Sequence, residues 1–165
     1  MNLTDFFYQE GKRETKEISF PLEEFQGHKI LNSPILTLVV TNQGKGKAGI
    51  EGKVQLEFEF SCDRCLKEVK ETIILDFART VYAPEAITDE DMKEEQYFVN
   101  EYELDLLALL EEELQLSWPV KILCVEDCKG ICKKCGHNLN EGDCGCDDFV
   151  PDIRFANLMD IFNGK

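Results

Sequence analysis

A chain of 165 residues that is 43% hydrophobic can bury a core of its own, as one compact domain or one domain with a small appendage. Its 33 acidic residues outnumber 18 basic ones, a net charge of −15. That balance argues against a purely electrostatic grip on nucleic acid, which needs lysine and arginine to displace counterions, and suits a basic protein partner or simple solubility. The first residues, "MNLTDFFYQEGKRE", show no basic region leading into an apolar stretch, so no signal peptide is expected. No apolar run approaches the roughly 18 residues of a membrane span. The expected compartment is the cytoplasm, where thiols stay reduced.

Along the chain, the first half reads as β. "SPILTLVVTN" (33–42) is rich in β-branched and aliphatic residues, and "NQGKGKAG" (42–49) is a glycine-punctuated turn. The glycines there lack the closing Gly-Lys-Ser/Thr and the following helix of a phosphate loop, so a hairpin turn is expected. Val54, Leu56, Phe58 and Phe60 alternate with Gln55, Glu57 and Glu59, the two-residue period of a half-buried strand. After "CDRCLKE" the alternation resumes through Val69, Glu71, Ile73, Leu75, Phe77, Arg79 and Val81. Two such runs around a short connection predict an antiparallel hairpin with Cys62 and Cys65 at its turn.

The charge then changes abruptly. Residues 85–116 hold 12 of the acidic groups and a single base, Lys93, which gives that stretch −11 of the net −15. "PEAITDEDMKEEQ" (84–96) reads as an exposed loop. An acidic amphipathic helix is expected at about 104–117, built from strong helix formers. Leu107, Leu110 and Leu114 would form its apolar stripe, widened by Leu106 and Leu109. Asp105 suits the positive end of the helix dipole, and Pro119 marks the stop. Glu111, Glu112 and Glu113 are consecutive, so they should fan around the helix as a solvated face. At the C-terminal end, "PDIRFANLMDIFNGK" begins with a candidate cap at Asp152 and spaces Phe155, Leu158, Met159 and Phe162 as a helical docking face.

The eight cysteines are the most informative residues. Cys62 and Cys65 form a lone C-x-x-C, whereas Cys124, Cys128, Cys132, Cys135, Cys144 and Cys146 crowd the C-terminal quarter. "CKKCG" (132–136) has the form of a zinc knuckle, which turns two sulfurs toward one centre while the glycine permits the tight backbone after it. Cys144 and Cys146 arrive in "CGC" after a short polar connection. Four thiolates are what a structural zinc ion takes, and so short and polar a segment needs metal binding to order it. The expected ligands are Cys132, Cys135, Cys144 and Cys146, with Cys128 and Cys124 as alternates. Cys124 and Cys128 lie four apart and could instead join Cys62 and Cys65 in a second site. An iron–sulfur cluster also takes four cysteines, and redox chemistry is the other alternative, although neither C-x-x-C has a thioredoxin-like βαβ context. His137 reads as a surface residue.

Neither His28 nor His137 sits in a catalytic motif, and neither H-E-x-x-H nor G-x-S-x-G occurs. Zinc closed by four cysteines has no open coordination position, so no enzyme is expected. The fold class expected is α+β. It comprises an antiparallel β-sheet or partial barrel core with the acidic loop and helix (1–120), then a cysteine-rich zinc-binding tail with a terminal helix (121–165).

The order of "CDRCL" (62–66), "DLLALLEEELQLSWP" (105–119), "CKGICKKCGHNLN" (128–140), "CGC" (144–146) and "PDIRFANL" (151–158) resembles the YceD family, the large ribosomal RNA subunit accumulation proteins. The resemblance spans roughly 15–165. It implies a bacterial cytoplasmic protein linked to 23S rRNA accumulation, often encoded beside a large-subunit ribosomal protein. Versions with and without the cysteine-rich tail imply a structural metal, and the resemblance carries over no catalytic residue. The expected partner is a basic large-subunit ribosomal protein or assembly intermediate, held by the acidic segment. Two alternatives stay open. One is RNA binding by the tail as a zinc knuckle, with Lys121, Lys129, Lys133 and Lys134 as its basic groups. The other is a redox- or metal-responsive protein.

Overall fold

The computed structural model describes residues 1–88 and 94–146. The helix expected after Asp152 and the centre of the acidic loop lie outside them. Chain order is α1 (Thr4–Tyr8), β1 (Arg13–Ser19), β2 (Glu24–Phe25), β3 (His28–Lys29), β4 (Ile35–Gly44), β5 (Lys47–Ser61) and β6 (Glu68–Tyr82). A 3₁₀ turn (Pro84–Ala86), β7 (Val99–Asn100), β8 (Glu103–Leu104) and α2 (Leu106–Ser117) follow. β1, β4, β5 and β6 form one antiparallel sheet in the order β1-β4-β5-β6, so of the two expected β architectures the described residues form the open sheet.

Alternation in the sequence becomes two faces of this sheet. Ile50, Val54, Leu56, Phe58 and Phe60 of β5 point inward with Ile73, Leu75, Phe77 and Val81 of β6 and Leu36, Leu38 and Val40 of β4. The intervening residues face solvent. The β4–β5 turn is as tight as the glycines predict. Gly44 pairs with Lys47, and the two residues between, Lys45 and Gly46, both have positive φ (53° and 70°). That is the backbone of a primed two-residue turn, whose twist matches the strands it joins.

The inward face is covered by α1, the β2–β3 hairpin and α2. Phe6 and Phe7 of α1 pack over β4 and β5. Phe25, Phe58 and Phe60 each meet Trp118 edge to face at centroid separations of 5.1–5.4 Å, with His28 beside them. α1, β1 and the short hairpins escape the sequence reading because their apolar positions are too few for a periodic signal.

α2 begins as expected. Asp105 caps it, its carboxylate accepting from the N–H groups of Leu107 (3.0 Å) and Ala108 (3.1 Å). Its inward face is rotated from the stripe read in the sequence. Leu109, Leu110, Glu113 and Leu114 are buried, whereas Leu107 is 42% exposed. The expected solvated face at 111–113 is therefore corrected: only Glu111 is fully exposed. Glu113 accepts from Arg79 Nε at 2.6 Å, and half-buried Glu112 from the same guanidinium at 3.3 Å. The cause is Arg79, which shares the inward parity of β6: its side chain is only 32% exposed, so the carboxylates of α2 replace much of its solvation. Nor is 84–96 wholly an exposed loop. Gln96 is buried, its amide bonded to both backbone groups of Tyr82 (2.8 and 3.1 Å). Glu85 is held by Tyr8 and Tyr102 hydroxyls at 2.9 and 2.5 Å.

Candidate metal centres

Both C-x-x-C segments fold the same way. In the β5–β6 connection, Cys62 N–H donates to Lys67 O (2.8 Å) and Leu66 N–H to Cys62 O (2.9 Å). In the tail, Cys132 N–H donates to His137 O (2.8 Å) and Gly136 N–H to Cys132 O (2.8 Å). Each pattern curls the backbone around its first cysteine and aims both sulfurs to one side. The residue after the second cysteine must adopt a left-handed conformation. Gly136 does so freely at φ 75°, while Leu66 does so at φ 62° against the preference of an L side chain.

The eight sulfurs gather into two sets of four, each set with all its sulfurs within 4.8 Å of one another. One set is Cys132, Cys135, Cys144 and Cys146. The other is Cys62, Cys65, Cys124 and Cys128. Cys124 and Cys128, weighed above as alternates for the tail set, are thus placed with the β5–β6 turn. The first of these sets lies partly open, with Cys135 exposed, whereas the second is mostly buried, with Cys124 alone half-buried.

The second set crosses from the sheet to the tail. Beyond the sulfurs, Asp63 N–H donates to Ile122 O (2.9 Å), and Asp63 Oδ2 accepts from Ile122 N–H (2.7 Å). Arg64 donates to Cys128 O at 2.6 Å. Asn140, from the loop between Cys135 and Cys144, reaches back to the buried set. Its Nδ2 donates to Cys128 Sγ (3.3 Å) and its Oδ1 accepts from Lys129 N–H (2.8 Å), while Leu139 N–H reaches Gly130 O (2.9 Å). The sequence pattern assigned no role to Asp63 and Arg64, the two variable positions inside the first C-x-x-C, or to Asn140 in the loop after the second, because a C-x-x-C signature specifies only its cysteines.

Both sets can be tested for fit to a metal. A zinc–sulfur bond of about 2.3 Å in tetrahedral geometry places ligand sulfurs about 3.8 Å apart. Cys62 and Cys128 sulfurs are 3.7 Å apart, and those of Cys65 and Cys124 3.5 Å. A disulfide would need about 2.05 Å, and all eight cysteines are free thiols. The ionisation pattern also suits a cation. Burial opposes the Cys62 thiolate, but hydrogen bonds from the backbone of Arg64, Cys124 and Cys65 outweigh it and bring the thiol down to about 6. Backbone donors at Cys135 and Lys134 bring Cys132 down to about 6. The crowded partners go the other way. Cys124 is pushed up to about 12, chiefly by Cys65, and Cys146 to about 12, chiefly by Cys135. In the buried set Cys128 is also held below its ordinary value, burial being outweighed by hydrogen bonds from the Asn140 side chain and the Gly130 backbone. Each set thus ionises readily in part while its crowded members resist further negative charge, and a bound divalent cation would relieve that resistance while expelling protons. Four thiolates close its coordination, so what such an ion supplies is a clamp.

Among the described residues, no helix is long and apolar enough to cross a membrane. No solved structure matches the chain. A curated relative from Arabidopsis thaliana, named Large ribosomal RNA subunit accumulation protein YCED homolog 1, chloroplastic, is 25% identical over 156 residues. The match covers 78% of this chain and 49% of the relative, so the chain spans about half the length of the curated relative it matches. Residues 50–162, which include both cysteine sets and α2, match the family described as Large ribosomal RNA subunit accumulation protein YceD; the chain belongs to that family.

Proposed function

We propose that the chain is a non-enzymatic factor supporting accumulation of large-subunit ribosomal RNA. In this reading zinc fills both cysteine sets, and the acidic run holds a basic large-subunit ribosomal protein. The observation that carries the partner is the placement of charge. Glu94, Glu95, Glu101, Glu103 and Glu111 are all exposed within a stretch whose single base is Lys93. A concentrated negative field of this kind steers a cationic protein and repels RNA phosphates. The zinc clamps would then fix the tail to the sheet.

Pull-down with the tagged, metal-loaded protein tests the partner. Basic large-subunit proteins should be recovered at low salt and released at high salt, and Glu94, Glu95, Glu101 and Glu111 changed together to glutamine should abolish capture. Recovery of no ribosomal protein, or capture indifferent to salt, refutes the partner assignment. Elemental analysis tests the metal, with zinc expected at two ions per chain, one for each set. Because Cys135 is exposed while Cys62 and Cys128 are fully buried, a chromogenic chelator should remove the tail ion in a fast phase and the other slowly. Protein purified without chelator and lacking zinc would refute the clamp.

One observation supports a second reading. Lys129, Lys133 and Lys134 are exposed around the tail set, so the knuckle could meet RNA directly. Filter binding to 23S rRNA fragments, with those lysines changed to glutamine, separates this from protein capture.

A further inference from the structure

β6 is an edge strand. It pairs with β5 over its full 15 residues without a register shift, and among the described residues no strand adds to its other side. One contact fixes where its free groups point. Tyr82 N–H donates to Gln96 Oε1 and Tyr82 C=O accepts from Gln96 Nε2, so both groups of Tyr82 face away from β5. In an antiparallel ladder that orientation repeats every second residue. Lys70, Thr72, Ile74, Asp76, Ala78 and Thr80 therefore turn N–H and C=O to the same open side, and all six are exposed. From Lys70 to Thr80 this row runs about 33 Å. The Gln96 amide already does at Tyr82 what an added strand would do along the row: it gives one donor and one acceptor to one edge residue.

Two depressions lie along this edge. Ala78, Thr80, Glu95 and Glu112 line the one nearer Tyr82. Glu71, Thr72, Ile74, Ser117 and Lys121 line the other. The end of α2 and the residues after it contribute the facing wall. Together their linings hold three carboxylates, Glu71, Glu95 and Glu112, and two cations, Arg79 and Lys121. Arg79 is already taken up by Glu113 and by Oε1 of Glu112. Glu112 Oε2 is buried without a hydrogen-bond partner, and Glu71 and Glu95 are exposed. Lys121 and, at the far end of the row, Lys70 are the opposing cations; Asp76 is paired with Lys53. A row of unmet backbone groups beside an unmet carboxylate oxygen is matched by a chain that brings both an extended backbone and cationic side chains.

We infer that the free edge of β6 receives an extended lysine- or arginine-rich segment of the partner protein as an added strand. The inference rests on the reading of a basic protein partner and specifies how that partner is held. Ladder hydrogen bonds would supply affinity, and the acidic flank would select the side chains.

The test uses the full, metal-loaded chain and a fluorescein-labelled nine-residue peptide of alternating lysine and valine. A control peptide of the same sequence is N-methylated at every backbone amide, which keeps the charge and removes the donors. Anisotropy should show the parent peptide binding at least tenfold more tightly than the control. Glu112→Gln should weaken the parent several-fold. Amide exchange followed by NMR should slow at Lys70, Thr72, Ile74, Asp76, Ala78 and Thr80 on peptide addition, with no further slowing at Glu71, Ile73, Leu75, Phe77 and Arg79. Two results overturn the inference: binding of the control within twofold of the parent, or protection without the alternating pattern. If both peptides bind equally and release in salt, the edge is excluded while capture by acidic charge stands. If neither binds, the edge is excluded and the pull-down decides the partner separately.

Discussion

Gly52 and Phe77 face one another across the β5–β6 ladder, both on the buried side of the sheet. A Cβ built on Gly52 would come closer than 3.0 Å to three atoms of the Phe77 ring, Cζ, Cε1 and Cε2. The ring lies over the glycine, in the space a side chain there would take, and is 8% exposed. Gly52→Ala must therefore displace a buried aromatic ring. Overpacking of this kind costs about 1–3 kcal/mol. Alanine recovers about 0.5–1 kcal/mol by being stiffer than glycine in a strand. Three approaches under 3.0 Å put the overpacking in the upper part of its range, about 2–3 kcal/mol, so the expected net loss is about 1–2.5 kcal/mol, which for a chain of this size lowers Tm by about 2–10 °C. Thermal unfolding of metal-loaded protein reads it directly. Repeating Gly52→Ala in a Phe77→Leu background should make the change nearly neutral, a coupling of about 1 kcal/mol between the two positions. A neutral or stabilising Gly52→Ala in the parent chain, or an equal loss in both backgrounds, would refute the steric argument.

Two further outcomes follow from the polar contacts around α2 and α1. Arg79→Met leaves Glu113 buried without its donor and should cost about 1.5–3 kcal/mol in urea unfolding, whereas Arg79→Met with Glu113→Leu should recover most of it. A double variant no more stable than Arg79→Met alone contradicts this. For Glu85, the hydrogen bond from Tyr102, then its own backbone N–H and the Tyr8 hydroxyl, hold the carboxyl below its ordinary range, so the folded chain binds this proton less well than the unfolded one. The stabilisation is therefore complete above the unfolded value of about 4.3 and is lost as pH falls through the lower folded value. The Tyr102 phenol is held above its ordinary value, chiefly by Glu85, so its contribution fades only as the pH rises beyond that of a free phenol. Tm of the parent minus Tm of Glu85→Gln should be flat from pH 5 to 9 and shrink in acid; a difference that grows in acid would show the sign to be wrong.

How much of this was legible depends on the distance over which each feature is decided. β5 and β6 were readable because a half-exposed strand must alternate: Val54 to Phe60 do so without a break, and Ile73 to Val81 do so apart from outward Ile74 and inward Arg79. The Asp105 cap, the Lys45–Gly46 turn and the knuckle at Cys132 and Cys135 are local too: a few residues carry all the hydrogen bonds that define them. The rotation of α2 was not local. Leucines at 106, 107, 109, 110 and 114 give a helix more than one apolar stripe, and Arg79 on a distant strand selects the face that also buries Glu113.

The cysteines divide in the same way. Spacing alone makes each of the two C-x-x-C turns present a pair of sulfurs, because it bends the backbone around its first cysteine. It also determined that Cys132, Cys135, Cys144 and Cys146 could meet, since only a short loop separates the pairs. The tertiary structure alone decided where Cys124 and Cys128 go. Cys62 and Cys128 are 66 positions apart, and their 3.7 Å approach exists because the β5–β6 hairpin carries its turn to the end of the sheet where the chain leaves α2. Spacing governs contacts closed by a few residues; contacts closed through a sheet and a helix are set by packing.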